Sequence, residues 1–234
     1  MIKVKQFFKQ VCYVLFSLLS KIKTSFFSDL FIGLGYFIKS ESEYNNTKAA
    51  LFENDRLQLH AHISKQFLNT EEKIHFFEFG VRWGQIIGLW ADSNKNPSSL
   101  FVGFDTFTGL PEDWGNIKKG SYSNNGEVPQ IDDKRVGFCV GLVEDTLPGY
   151  IKNIDPATKL IVHLDFDLYN ATLFTLIFVQ PFLKKGDIII LDEYFSITKN
   201  HYEFRAFHDF LSLNTISYKP LFKCRGGQFV VELV

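Results

Sequence analysis

Cysteine is scarce in this chain, with three residues among 234. Cys12, Cys139 and Cys224 lie far apart and show none of the paired spacings that are typical of zinc ribbons or disulfide frameworks. The scarcity argues against a fold that metal or disulfide bonds hold together. Because thiols stay reduced in the cytoplasm, we expect a cytoplasmic location.

An excess of either charge is also absent. The chain has 25 Lys and Arg residues against 26 Asp and Glu residues, which gives a formal net charge of -1. Proteins that bind DNA or RNA usually carry a basic excess that matches the phosphate backbone. We therefore expect no nucleic-acid partner.

Long hydrophobic runs are missing as well. The apolar stretch Val11–Leu19 lies between lysines and is shorter than the roughly 20 residues that span a bilayer. No small-residue cleavage site follows it, so we expect no cleaved signal peptide. Two interpretations of residues 1–23 stay open: a helix in peripheral contact with a membrane, and a helix packed on the domain or on a second copy of the chain in a homo-oligomer. The weak charged face favours packing. We predict a helical appendage over residues 1–47 and one domain over residues 48–234.

What the sequence does contain is a regular alternation of predicted helices and strands. Helices are expected over Lys48–Leu68 and Tyr202–Leu211 and between the strands. Five apolar runs predict buried strands: Lys73–Phe79, Leu100–Asp105, Val136–Leu142, Leu160–Leu164 and Asp187–Leu191. Two further strands flank Gly226-Gly227 and predict a hairpin at the edge of the sheet. The expected α/β fold is a Rossmann-like, mostly parallel seven-stranded sheet with a C-terminal antiparallel hairpin and helices on both faces.

Five carboxylates follow the predicted strands at the point where each strand ends. They are Glu78, Asp105, Asp165, Asp192 and Glu193. Because the carboxyl ends of parallel strands meet at one edge of a sheet, these side chains should lie close together. Like charges at one edge repel each other unless a cation or a ligand compensates them. The pattern therefore indicates a ligand site.

The first two carboxylates belong to a strand–turn–helix pattern that is typical of cofactor sites. The turn reads Glu78-x-Gly80-x-x-x-Gly84, and its glycines let a ligand approach the backbone. Asp105, at the end of the next strand, can take both hydroxyls of a ribose. An acid in place of the first glycine of a dinucleotide motif suits a cofactor with an amino group better than one with a pyrophosphate.

The other three carboxylates come from two strands that are neighbours in the expected sheet. Asp165, Asp192 and Glu193 would form a set of hard oxygen ligands without histidine or cysteine. Mg²⁺ prefers such ligands. His163 is expected on the same strand face as Asp165. We interpret it as a hydrogen-bonded core histidine rather than a catalytic one.

These motifs resemble a known family, the Mg²⁺-dependent O-methyltransferases of the macrocin and mycinamicin type. Members of this family transfer a methyl group from S-adenosylmethionine (SAM) to sugar hydroxyls. The matching segments are Glu78-Phe79-Gly80-Val81, Gly103-Phe104-Asp105-Thr106-Phe107-Thr108-Gly109-Leu110-Pro111-Glu112, Gly141 with Glu144-Asp145-Thr146-Leu147-Pro148, Leu164-Asp165-Phe166-Asp167-Leu168-Tyr169 and Asp192-Glu193-Tyr194. Glu193 departs from the family pattern, in which a second aspartate is more common.

The resemblance implies a class I methyltransferase fold, SAM as cofactor and a hydroxyl acceptor on a small molecule or a glycan. It implies a Mg²⁺ site at Asp165, Asp192 and Glu193. In the implied reaction, Asp165 or Asp167 takes the proton of the hydroxyl. The polar loop Glu112–Asp133 and the segment Phe195–Tyr202, with His201, are the expected lid and acceptor contacts. The implied SAM contacts are Glu78, Phe79, Gly80, Gly84, Asp105, Thr106, Gly141 and Asp145.

Two alternatives stay open on the sequence alone. A nicotinamide-dependent oxidoreductase uses a similar sheet, although the chain lacks the additional glycine of its motif two residues before Gly80. A non-catalytic subunit of a glycan-synthesis complex could keep the same fold. The retained carboxylates at both groups of strand ends argue against this second alternative.

Overall fold

The computed structural model describes residues 24–52, 55–66, 69–195, 202–224 and 227–234. The predicted helix within residues 1–23 and the predicted acceptor contact at His201 lie outside these ranges. Among the helices of the described ranges, none combines the length and the apolar composition that a membrane span requires.

Helices and strands alternate along the chain, as predicted. The helices are α1 (Thr24–Asn46), α2 (Arg56–Gln66), α3 (Gln85–Ser93), α4 (Val143–Tyr150), α5 (Tyr169–Val179) and α6 (Tyr202–Leu213). The strands are β1 (Ala50–Phe52), β2 (Ile74–Phe79), β3 (Leu100–Asp105), β4 (Val136–Val140), β5 (Lys159–Leu164), β6 (Ile188–Leu191), β7 (Tyr218–Cys224) and β8 (Phe229–Leu233). Short 3₁₀ turns follow α4 and α5, at Ile151–Asn153 and Gln180–Phe182.

The strands form one sheet in the order β1-β7-β8-β6-β5-β2-β3-β4. Strand β8 runs antiparallel to β6 and β7, and the other neighbouring pairs are parallel. Parallel neighbours need crossover connections, and here helices supply them and cover the sheet. The predicted Rossmann-like α/β fold is therefore confirmed.

The sheet has one strand more than predicted, at the point where the chain enters it. The prediction of a single helix over Lys48–Leu68 is wrong, because Ala50–Phe52 pair in parallel with Phe222–Cys224 of β7. Helix α2 begins only after Asp55, whose carboxylate accepts a hydrogen bond from the N–H of Gln58 at 2.9 Å and caps the helix. The C-terminal hairpin consequently lies inside the sheet, with β1 at the edge, which corrects a second prediction.

Alternation along the central strands divides the core between the two faces of the sheet. On β2, Phe77 and Phe79 pack with α4, α5 and α6, while Ile74 and Phe76 pack with α2 and α3. All four side chains are fully buried. Because helices cover both faces, the C-terminal ends of the parallel strands are where a ligand can reach the backbone.

The second half of α1 is anchored to the domain by a polar cluster. The Glu43 carboxylate accepts a hydrogen bond from the Tyr194 hydroxyl at 2.7 Å and pairs with Nε2 of His208 at 2.8 Å. Burial raises the pKa of Glu43, but the bonds from His208 and Tyr194 outweigh it and hold that pKa below its usual value. Since Tyr194 follows Glu193 directly, the predicted appendage contacts the segment that carries the predicted metal ligands.

Replacing Glu43 by glutamine is expected to lower the free energy of unfolding by about 1–3 kcal/mol near neutral pH, because charge-assisted bonds are lost. A carboxyl whose pKa falls on folding adds stability above its unfolded pKa, and this stability is lost as the pH falls through the folded pKa. The difference from the wild type should therefore shrink as the pH drops below the ordinary glutamate value of 4.5. Urea unfolding at neutral and acidic pH measures it, with Glu41→Gln on the same helix as control. Equal stability of Glu43→Gln and the wild type at neutral pH would contradict this anchor.

Candidate active site

A cavity of about 760 Å³ opens at the C-terminal ends of β2, β3, β5 and β6. Its volume lies in the upper part of the range that small-molecule sites cover. The carboxylates that follow β3, β5 and β6 meet in this cavity, as the sequence predicts. The predicted site residues that line it are Gly80, Asp105, Thr106, Gly141, Asp165, Asp167, Asp192 and Glu193.

The turn between β2 and α3 holds two strand ends together. Gly80 has a φ of +86°, which favours glycine. A Cβ atom at this position would lie 2.0 Å from the carbonyl oxygen of Asp165. The N–H of Asp165 also donates to the carbonyl of Phe79 at 2.8 Å. Gly80 therefore permits the close approach of the Asp165 backbone, which joins the glycine turn to the predicted metal site.

Replacing Gly80 by alanine is expected to lower the free energy of unfolding by at least about 2 kcal/mol, because the left-handed φ and the clash with Asp165 both oppose a side chain. Gly88 is the matched control, since it lies inside α3 and a Cβ there meets Ile131 at an ordinary 3.8 Å. Gly88→Ala should raise stability by up to about 1 kcal/mol. Urea unfolding compares both variants with the wild type. A Gly80→Ala variant of wild-type stability would show that the turn tolerates a side chain.

Asp105 organises the same turn from the end of β3. Its Oδ2 accepts hydrogen bonds from the N–H groups of Val81 and Arg82 at 2.7 and 2.8 Å, and its Oδ1 accepts one from Phe107 at 2.8 Å. A carboxylate offers about four acceptor positions, so the protein leaves one for a ligand. The sequence interpretation gave Asp105 both hydroxyls of a ribose, whereas this geometry leaves room for one.

Four predicted cofactor residues lie outside the cavity lining: Glu78, Phe79, Gly84 and Asp145. Phe79 is fully buried and stacks on Phe104, with 4.7 Å between ring centroids. Gly84 precedes α3 and has a φ of +74°. Asp145 is exposed in the first turn of α4, where its neighbour Glu144 lines the cavity instead. Direct contacts of these four residues with SAM stay predictions.

Glu78 is buried beneath the turn and faces His163. Its Oε2 accepts a hydrogen bond from the N–H of Ile87 in α3 at 3.0 Å. Its Oε1 lies 3.4 Å from Nδ1 of His163, and Nε2 of His163 lies 3.7 Å from Oδ1 of Asp192. Burial lowers the pKa of His163, but the carboxylates of Asp192 and Glu78 raise it to about 9. His163 therefore lies between two carboxylates that favour its protonated form, one below the glycine turn and one at the predicted metal site.

His60 joins this buried cluster from α2. Potential ligand atoms of His60, His163 and Asp192 lie within 4.8 Å of one another. However, Nδ1 of His60 accepts a hydrogen bond from the indole N–H of Trp90 at 3.0 Å. A neutral His60 then carries its proton on Nε2, so neither ring nitrogen has a lone pair for a metal. The cluster is better described as a network of polar and ionisable groups than as a metal site.

Asp165 and Asp192 direct their carboxylates at one cation, the guanidinium of Arg56. Nη2 of Arg56 lies 2.6 Å from Oδ2 of Asp165, and Nη1 lies 3.3 Å from Oδ2 of Asp192. Burial and the charge of Asp192 raise the pKa of Asp165. Burial has the same tendency at Asp192, but His163 and Arg56 outweigh it and lower the pKa of Asp192. Neighbouring carboxyl groups with opposite pKa shifts are suited to acid–base chemistry.

Glu193 lines the cavity beside these two aspartates, and a buried glutamate fixes its backbone. The N–H of Glu193 donates to Oε2 of Glu203 at 2.9 Å. Glu203 is 1% exposed, and burial raises its pKa well above the ordinary value. Glu203 therefore fixes the backbone at the end of β6.

The connection from β3 to β4 forms one wall of the cavity. The N–H of Leu110 donates to the carbonyl of Ser121 at 2.9 Å, and Trp114 anchors the connection in the core with 2% of its surface exposed. Residues 109–112 and Tyr122 line the cavity. The polar loop that was predicted as a lid is thus folded against the domain in this structure, where it can contact an acceptor.

Reasoning from the sequence missed several cavity residues, among them Arg56, Arg82 and Trp83. Arg82 and Trp83 lie inside the glycine turn, and a cation next to a large aromatic residue there was a usable signal. Arg56 occupies the first position of α2, where a cation is unfavourable with the helix dipole. Because the sequence predicted a helix that starts at Lys48, this mismatch was hidden, and no local signal identified Arg56.

Comparisons with known proteins agree with this geometry. Among solved structures, the calicheamicin methyltransferase CalS11 is 22% identical with a TM-score of 0.60, over 85% of this chain and 91% of CalS11. The O-methyltransferase NovP is 20% identical with a TM-score of 0.61, over 76% of this chain and 78% of NovP. An O-methyltransferase from Bacillus cereus, solved with SAH, is 14% identical with a TM-score of 0.50, over 86% and 90% of the two chains. These likenesses show the class I methyltransferase fold.

The family is shown by a match of sequence. The profile of the macrocin O-methyltransferase family (TylF) matches residues 54–223, which is more than half of the chain. No curated protein matches the sequence. The family match favours a methyltransferase over the nicotinamide-dependent and the non-catalytic alternatives. The chain belongs to the macrocin O-methyltransferase family and is a SAM-dependent O-methyltransferase.

Proposed function

We propose that the protein transfers the methyl group of SAM to a sugar hydroxyl of a small molecule or a glycan, with Mg²⁺ at the reacting hydroxyl. The observation that carries the proposal is the shared cavity. Its cofactor half is formed by Gly80, Asp105, Thr106 and Gly141, and its carboxylate half by Asp165, Asp192 and Glu193. The contact between Gly80 and the Asp165 backbone fixes one half relative to the other.

In the cofactor half, SAM is expected to lie along the β2–α3 turn. Gly80, Thr106 and Gly141 would contact it, and the remaining acceptor position of Asp105 would take one ribose hydroxyl. Glu78 supports this half indirectly, because its carboxylate holds the first turn of α3 through the N–H of Ile87.

The carboxylate half suits a divalent cation. Asp165 and Asp192 already direct Oδ2 atoms at a single positive group, and Glu193 lines the same cavity. Carboxylate oxygens without a cysteine are the donors that Mg²⁺ prefers. These three residues would hold the ion, which when bound supplies Lewis-acid polarisation of the acceptor hydroxyl.

Methyl transfer requires the acceptor oxygen to lie in line with the methyl group and the sulfur of SAM. The oxygen–carbon bond forms while the carbon–sulfur bond breaks, the electron pair stays on sulfur, and the hydroxyl proton passes to a carboxylate. Asp165 is the preferred base, because its carboxylate belongs to the half of the cavity that would hold the reacting hydroxyl. Asp167, two residues further along the cavity wall, is the alternative.

The rim of the cavity indicates an acceptor with an apolar part. Four large side chains at the rim expose between 41% and 58% of their surface: Leu57, Trp83, Tyr122 and Leu142. Exposed apolar groups around a cavity mark a binding groove, and aromatic rings combine apolar contact with directional packing. CalS11 is a TDP-rhamnose 3'-O-methyltransferase, which supports a sugar as the acceptor here.

Incubation of the full chain with methyl-labelled SAM and a panel of acceptors tests the proposal. The panel contains nucleotide-linked sugars, glycosylated aromatic compounds and free sugars. We expect label in an ether linkage on one of these classes, loss of transfer with EDTA and recovery with Mg²⁺. A protein that binds SAM but methylates no sugar hydroxyl would contradict the proposed acceptor. Methyl transfer that continues in the presence of EDTA would contradict the proposed role of Mg²⁺ but would support the proposed methyltransferase activity.

A further inference from the structure

We propose that Arg56 is a tethered counter-ion of the carboxylate half, and that a divalent cation binds there only by displacing it. This inference rests on the metal site of the proposed function. Arg56 contacts Oδ2 of Asp165 at 2.6 Å and Oδ2 of Asp192 at 3.3 Å. The same two carboxylates are proposed ligands of the metal ion. The guanidinium and the ion therefore compete for one place.

Two cations at these oxygens would repel each other. Mg²⁺ bonds to carboxylate oxygens at about 2.1 Å, so an ion bonded to both aspartates would bring a second positive charge to the oxygens that Arg56 contacts. The side chains of Asp165 and Asp192 are only 17% and 5% exposed. Little solvent is present to screen the repulsion between the two positive charges.

The place of Arg56 in its helix indicates a role outside the helix. Arg56 is the first residue of α2 and follows the capping residue Asp55. A positive charge at this end opposes the helix dipole. Without it, however, Asp165 and Asp192 would face each other as buried like charges. Arg56 therefore stabilises the carboxylates whenever no metal ion does so.

Arg56 also has room to leave. Its side chain is 36% exposed, in contrast to the two aspartates that it contacts. The cavity around it is also lined by Asp55, a carboxylate that is not among the proposed metal ligands. A displaced guanidinium can thus stay inside the cavity and find new acceptors, so the exchange requires rotation of one side chain rather than movement of α2.

Mn²⁺ binding to the full chain tests the exchange and needs no acceptor. The EPR signal of the free ion measures how much Mn²⁺ is bound. Mn²⁺ favours the same oxygen ligands as Mg²⁺. Arg56→Gln removes the competing charge, and we expect its Kd for Mn²⁺ to be about tenfold lower than the wild-type value. Arg56→Lys keeps the charge without the planar fork, and its Kd should lie between the two. Arg82→Gln is the control, since Arg82 lines the cavity but lies over the Tyr122 ring, and it should bind Mn²⁺ like the wild type.

The outcomes separate this inference from the proposed function. A Kd of Arg56→Gln equal to or above the wild-type Kd would overturn the displacement and leave the metal site standing. No Mn²⁺ binding by either protein, with SAM binding retained in calorimetry, would remove the metal from the proposed function and this inference with it. If Arg56→Gln does not fold, Arg56→Lys decides. Tighter binding than the wild type supports displacement, and equal or weaker binding overturns it.

Discussion

The Asp165→Asn variant is expected to lose about a thousandfold or more in kcat while it still binds SAM. Asparagine keeps the size and the backbone of Asp165, so the contact with Gly80 is preserved. The substitution removes the proposed base, whose pKa is raised, and one negative charge of the carboxylate half. Both losses act on the reacting hydroxyl and leave the cofactor half intact. The measurements are kcat with the acceptor found by labelled transfer, and SAM affinity by calorimetry.

Asp132→Asn is the matched control for this prediction. Asp132 is exposed in the β3–β4 connection and lies outside the cavity lining. Its variant should keep the wild-type kcat. If Asp165→Asn also keeps the wild-type kcat, Asp165 is neither the base nor a metal ligand. If it loses SAM binding instead, Asp165 belongs to the cofactor half.

The Asp105→Asn variant is expected to bind SAM about a hundredfold more weakly. The amide nitrogen of asparagine is a donor, and either orientation places it against an N–H group that now donates to Asp105. One orientation opposes Val81 and Arg82, and the other opposes Phe107. The glycine turn loses its anchor together with the proposed ribose contact. Calorimetry with SAM alone measures the change.

Asp187 offers a matched control at the opposite end of the sheet. Its carboxylate accepts hydrogen bonds from the N–H groups of Leu160 and Lys184, each at 2.8 Å, just before β6 begins. Asp187→Asn should therefore lower thermal stability but leave SAM affinity unchanged. Wild-type affinity of Asp105→Asn for SAM would show that Asp105 has no part in cofactor binding.

The central strands could be predicted because their signals are local. All six residues of β2 are buried, and a mainly apolar run before a glycine turn predicts such a strand. Strand β1 could not be predicted in this way. Its three residues, Ala50–Phe52, fit a helix equally well, and only the pairing with Phe222–Cys224 far along the chain makes them a strand. The position of the hairpin inside the sheet depends on that same long-range pairing.

The edge of the sheet that carries the site could also be predicted, whereas the direction of single side chains could not. Asp165 and Asp192 meet because β5 and β6 are parallel neighbours, with Leu164 opposite Leu191. Glu78 has the same kind of position, yet its side chain turns beneath the cavity to His163. Arg56 enters from a helix whose contact with the carboxylates depends on tertiary packing, so no local pattern places it there.

Proton NMR of the S-methyl group of SAM, with Mn²⁺ as a paramagnetic probe, tests most directly whether one cavity holds the cofactor and the metal. A paramagnetic ion broadens the signals of protons close to it, and the effect falls steeply with distance. We expect Mn²⁺ to broaden the methyl signal of SAM bound to the wild type. Mg²⁺ with the wild type, and Mn²⁺ with the Asp165→Asn variant, should give no such broadening. A wild-type protein that binds both SAM and Mn²⁺ but leaves the methyl signal sharp would contradict a shared cavity.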